Sequence, residues 1–137
     1  IETRRGHTLG RVYWTGESAP DSGQPEGDPR RVLRADGDGI LIAQANIGSH
    51  LETGQLIAEI QSKIVNQKSK IVSPFAGVLR GILHDGMEVT RGIKLGDVDA
   101  RDDPELCRLV SDKALAIGGG VLEAIMSSQY RNIHVAA

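Results

Sequence analysis

Few side chains in this 137-residue chain stand at spacings that could do chemistry. Arg5-Gly6-His7 sets a guanidinium beside an imidazole. Such a pair suits an oxyanion or a phosphate; the plain alternative is a loop arginine next to an exposed histidine. Asp97, Asp99, Asp102 and Asp103 crowd one stretch and offer hard oxygen ligands. They lack the spacing, the glycine and the closing glutamate of a calcium loop, so a solvated acidic loop explains them and no metal is assigned. His50, His84 and His134 have no zinc-like spacing with Cys107. Cys107 precedes Arg108, a neighbour that favours a thiolate; the alternative is a structural thiol between Leu106 and Leu109. Gly118-Gly119-Gly120 interrupts a helical pattern at a cost of about 1 kcal/mol each relative to Ala. Close approach of another backbone, a phosphate-cradling turn or a broken helix would each account for them. The nearby lysine precedes the glycines, so the run is not a P-loop. No acid–base or nucleophile–base pair stands at fixed spacing, and the reading is of a chain without catalytic residues.

The elements that must position these groups follow from an internal repeat. Adding 38 to each number in Ala35 to Ile60 gives Ser73 to Val98, a similar stretch. Gly39 lands on Gly77, Leu41 on Leu79, Gly48 on Gly86 and Gly54 on Gly92, while Leu51 meets Val89 and Ile57 meets Leu95. A repeat settles architecture before any residue is given a role. Two such units, related by a pseudo-two-fold, close a small barrel around one core that neither could bury alone.

Around that core the chain divides into residues 1–34, 35–98 and 99–137. The first part predicts a strand over Leu9 to Thr15, a Pro- and Gly-rich loop over Ser18 to Asp28, and a second strand at Arg31 to Arg34. Strands are expected at Ile40 to Ala43, Leu56 to Val65, Ser69 to Val72, Val78 to Leu83 and Ile93 to Val98, with a hairpin tip at residues 65–68. Ser111 is a helix N-cap and Asp112 a favourable first-turn charge. Leu115, Gly118, Gly119, Leu122, Ile125 and Met126 then share one helical face.

Composition bounds the function. Apolar residues make up 39% and aromatics 3%, so Ile, Val, Leu and Ala must build the core. A net charge of −2 argues against a nucleic-acid groove. A single cysteine excludes an internal disulfide and fits a reducing, cytoplasmic setting. No apolar run approaches the roughly 20 residues of a membrane span. The chain has no initiating Met and reads as the later part of a longer polypeptide.

The repeat around a hairpin resembles the biotinyl/lipoyl carrier fold, and Ser73-Pro74-Phe75-Ala76-Gly77-Val78-Leu79 is similar to the motif after the modified hairpin of such carriers. The resemblance implies a mainly β barrel-sandwich hybrid, with an added amino-terminal strand and loop and a carboxy-terminal helix. A carrier bears a lysine at the hairpin tip. Here the tip is Asn66-Gln67, with Lys63 before it and Lys68 after it, so lysine attachment stands as the alternative and solvated lysines as the main reading.

A second resemblance covers the whole chain. Residues 1–12, Arg80-Gly81-Ile82-Leu83-His84-Asp85-Gly86, Gly96-Asp97-Val98-Asp99 and residues 111–125 resemble, in order, motifs of the YqeB-like accessory proteins of selenium-dependent molybdenum hydroxylases. That family implies a protein roughly twice this length with an amino-terminal Rossmann-like part. It implies a maturation module whose partners are that part and the hydroxylase. The molybdenum cofactor would be reached through the full-length protein, and a homo-oligomer is a further expectation. Arg5 and His7 would then face a molybdopterin phosphate or a molybdate-like anion. Cys107 would be the sulfur nucleophile available to handle selenium or sulfur.

Overall fold

The computed structural model describes residues 1–20, 27–63 and 67–134, with side chains through residue 128. It is mainly β, with eight short strands and one long helix among the described residues. A 3-10 turn at Pro29–Arg31 leads into β1 (Val32–Arg34) and β2 (Gly39–Ala43). β3 (His50–Leu51), β4 (Leu56–Gln61), β5 (Lys68–Val72), β6 (Gly77–Ile82), β7 (Glu88–Val89) and β8 (Lys94–Asp99) follow. A second 3-10 turn, Pro104–Cys107, precedes α1 (Asp112–His134).

The strands form two four-stranded antiparallel sheets, ordered β1-β8-β6-β3 and β5-β4-β2-β7. Adding 38 to every residue of the first half converts one sheet order into the other. The match reaches individual hydrogen bonds. Leu41 N donates to Met87 O at 2.9 Å and Leu79 N to Ser49 O at 3.0 Å; Ala35 N donates to Ile93 O at 3.0 Å and Ser73 N to Gln55 O at 2.8 Å. Register follows the same rule. Val32 pairs with Asp97 and Leu33 with Gly96, just as Lys70 pairs with Glu59 and Ile71 with Ala58. The repeat therefore begins at Val32, earlier than the boundary at residue 35 that sequence spacing suggested.

The core is built by alternation, which sends every second side chain of a strand to one face. Leu33, Leu41, Leu51, Ile57 and Ile60 are buried together with their counterparts Ile71, Leu79, Val89, Leu95 and Val98. Burying each such side chain is worth roughly 1.5–3 kcal/mol, and both sheets draw on the same cluster. The outer strands β3 and β7 hold two residues each, and so short an edge offers little template for another strand.

The chain separates into two compact units, one made of Ile1–Gln24 with Val110–Ala137 and the other of Pro25–Leu109. The second holds both sheets. In the first, the expected strand over Leu9 to Thr15 is absent: these residues lie in turns, bends and irregular backbone. Leu9 N bonds Gly6 O at 3.2 Å and Arg11 N bonds Thr8 O at 2.9 Å, so local turns take the groups a ladder would need. The helix starts as its cap predicts, with the Ala114 amide donating to Ser111 Oγ at 3.2 Å. It runs unbroken through the three glycines. No helix among the described residues is long and apolar enough to cross a membrane.

Candidate functional site

The chemistry-bearing residues fall into separate places. In the first unit, the guanidinium of Arg5 is committed to Asp112. Its Nη2 donates to Asp112 Oδ1 at 2.9 Å, and its Nη1 donates to Oδ2 in the same forked pair. The anion that Arg5 holds in this structure is thus a carboxylate of the chain itself, at the first turn of α1. His7 is exposed in the adjoining turn.

The tight centre of this unit is a residue that spacing did not single out. Glu2 is 4% exposed. Its carboxylate accepts from the Ala19 amide at 2.9 Å and the Arg4 amide at 2.8 Å, and its backbone bonds Arg11 and Gly10. These amides, Ala19 first, pull the carboxyl below its ordinary range against the opposing effect of burial. Glu2 is a clamp on the amino-terminal loop. An acid in a charged run carries no sequence mark of such a role, because the amides that hold it lie on loop backbone.

The glycines divide. A Cβ on Gly120 would run into the carbonyl of Gly10, and one on Gly10 into the carbonyl of Ala116, so the helix and loop meet backbone to backbone there. Gly118 and Gly119 have nothing within 4 Å of where a Cβ would stand. The close approach inside this chain belongs to Gly120 alone. A broken helix does not account for the run.

In the second unit a pocket of about 350 Å³ opens beside the second 3-10 turn, lined by Ile47, Gly48, Ser49, Pro104, Cys107 and Arg108. Cys107 is partly buried, and its thiol donates to the Leu79 carbonyl at 3.7 Å. Arg108 reaches Glu105 at 3.7 Å. Next to the pocket residue Ser49, His50 Nδ1 meets Asp102 Oδ1 at 2.8 Å and ties β3 to the acidic loop. Asp102 has φ +56°, a conformation costly for a residue with a side chain. The pocket thus combines a thiol, a hydroxyl and a guanidinium from stretches that stand far apart in sequence. Sequence spacing missed this grouping because the repeat, not proximity along the chain, brings the Gly48 turn over Leu79.

The remaining acids are each engaged. Asp97 bonds Arg31 at 3.0 Å with Lys94 at 3.5 Å. Asp99 bonds Arg101 at 2.6 Å with Arg80 at 3.6 Å. The Arg101 guanidinium, with help from its amide and Arg80, holds Asp99 down to about 2 although partial burial opposes it. Asp103 caps the 3-10 turn by accepting from the Glu105 amide at 3.0 Å. Among the described residues no group of three or more His, Cys, Asp or Glu side chains is placed to hold a metal ion.

The lysines flanking the hairpin are paired as well. Lys63 Nζ lies 2.7 Å from Glu88 Oε2, and Lys68 Nζ lies 2.7 Å from Glu59 Oε2. The hairpin closes through Ser62 N to Gln67 O at 3.0 Å. Asn66, half of the expected tip, lies outside the described residues.

No known protein-family profile matches the chain. It is 39% identical, over 97% of its length, to the uncharacterized protein YqeB of Escherichia coli strain K12. The chain spans about a quarter of that relative, 24%, so the relative is about four times as long and not twice. Among solved structures it is similar to an aspartoacylase family protein from Mesorhizobium loti, at 13% identity and TM-score 0.47, over 50% of this chain and 22% of that one. It is similar to the ectoine utilization protein EutE from Ruegeria pomeroyi, at 18% identity and TM-score 0.48, over 61% of this chain and 26% of that one. A succinylglutamate desuccinylase/aspartoacylase from Rhodobacter sphaeroides aligns at 17% identity and TM-score 0.45, over 53% and 22%. Every one of these scores lies below 0.5, and no activity passes to this chain from them.

Proposed function

We propose that this chain is a non-catalytic module of a YqeB-like accessory protein that serves maturation of selenium-dependent molybdenum hydroxylases in the cytoplasm. The observation that carries the reading is similarity to YqeB along nearly the whole chain, added to the four ordered motifs that resemble the accessory family. The two sheets form a barrel-sandwich hybrid of the biotinyl/lipoyl kind in this reading; their exchange under the 38-residue repeat supports it. The module binds the hydroxylase apoprotein or its cofactor and works with a Rossmann-like part of the full-length protein. The pocket at Ser49, Cys107 and Arg108 is its best-formed place for a small anionic or sulfur-bearing ligand.

Tagged full-length protein, expressed with the hydroxylase, should retain the apoenzyme on affinity capture. The recovered complex should contain molybdenum or selenium by elemental analysis. Absence of the hydroxylase from the captured material would remove the maturation reading.

A carrier role is the second reading, favoured by the hairpin between β4 and β5. The ion pairs of Lys63 and Lys68 weigh against it. An intact mass showing a biotinyl or lipoyl adduct on either lysine would reverse that judgement.

A further inference from the structure

The helix α1 uses one face and leaves another bare. Ala116 and Gly120 lie against Gly10. On the opposite side Leu115, Leu122, Ile125 and Met126 are 62%, 60%, 52% and 48% exposed, with Val110 exposed just before the helix. Between the two leucines lie Gly118 and Gly119, with open space where each Cβ would be. An apolar stripe of this length, interrupted only by glycine, needs a cover.

We propose that the cover is the same stripe of a second copy of this chain, packed antiparallel across a two-fold axis at Gly118 and Gly119. The sequence of the stripe is self-complementary. Leu115 and Leu122 stand at equal distances from the glycine pair, so reversal of the helix leaves the pattern unchanged. A two-fold interface requires that property, because each patch must fit itself. In this arrangement Leu115 of one copy faces Leu122 of the other, and the paired glycines let the helix axes approach closely. Ile125 and Met126 reach the start of the partner helix, where Val110 is exposed.

Charge and area agree. The stripe carries no charged residue at its centre, so it matches an uncharged surface and not an acidic or basic one. With about half of each apolar side chain in solvent, the two copies together cover on the order of 1,000 Å², the lower edge of a specific interface. The pair should accordingly be a weak, concentration-dependent dimer, not an obligate one.

Sedimentation equilibrium of the chain over a wide concentration range tests this. The expected result is a monomer–dimer equilibrium whose dissociation constant rises at least tenfold in both Leu122→Lys and Gly119→Leu. The melting temperature at dilute concentration should stay unchanged, because neither position touches the rest of the chain. Leu115→Ala, a milder change, should weaken the dimer less but measurably. A chain that stays monomeric up to about 1 mM overturns the proposal. So does a dimer that survives all three substitutions, since its interface then lies elsewhere.

Discussion

Gly48 and Gly86 donate their amides across the repeat, Gly48 N to Leu79 O and Gly86 N to Leu41 O, both at 2.8 Å. Each turn is thus held by a residue of the other half, and each glycine has a positive φ, 90° and 80°. Nothing lies within 4 Å of a Cβ at either position. The cost of Gly48→Ala or Gly86→Ala should therefore be conformational only, roughly 1–2 kcal/mol, and alike at the two sites. Urea unfolding of the two variants checks this; costs differing by more than about 1 kcal/mol would mean the halves are not equivalent.

The second unit should fold by itself. Its core draws entirely on Pro25–Leu109, and the reciprocal hydrogen bonds close within it. A polypeptide limited to those residues should give a dispersed amide spectrum and a cooperative thermal transition. A collapsed, poorly dispersed spectrum would show that the helix unit is needed for folding.

Glycine substitutions in α1 should have opposite signs. Gly118→Ala meets open space and should raise the stability of the helix unit by about 1 kcal/mol. Gly120→Ala drives a methyl into the Gly10 carbonyl and should cost on the order of 1–3 kcal/mol. Circular dichroism at dilute concentration separates the two, and equal responses would contradict the observed helix–loop contact.

Acid should expose the Asp99 ion pair. Its folded pKa, about 2, lies below the ordinary 3.8. The unfolded state therefore takes up its proton first as pH falls. The stabilisation is complete above about pH 4 and is lost as pH drops through about 2. With Arg101 and Arg80 partly in solvent, it amounts to on the order of 1 kcal/mol. Asp99→Asn should flatten stability against pH in that window and leave the remaining acid unfolding in place. An unchanged profile would show that the pair carries no net stability.

Much of the fold was legible along the chain. Apolar alternation and glycines at equal offsets announced the repeat because positive-φ turns and core positions accept few residue types. The helix start was legible for the same reason: Ser111 caps through its own nearby backbone. β3 and β7, two residues each, were not legible, since so short a strand has no period. The strand expected over Leu9 to Thr15 failed because alternation there competes with turns closed around Glu2.

The candidate site was less legible. Arg5 looked free to hold an anion until the fold set Asp112 against it, 107 residues away. Cys107 gained its pocket partners Ile47 and Ser49 only through the Gly48 turn. By itself the sequence determined the repeat, the apolar positions and the helix cap, all of which rest on local backbone preference and side-chain type. The tertiary structure decided that the halves exchange hydrogen bonds between sheets, that Gly120 and not Gly119 meets Gly10, and which charges pair. Those outcomes depend on contacts between distant segments, whose distances no local pattern encodes.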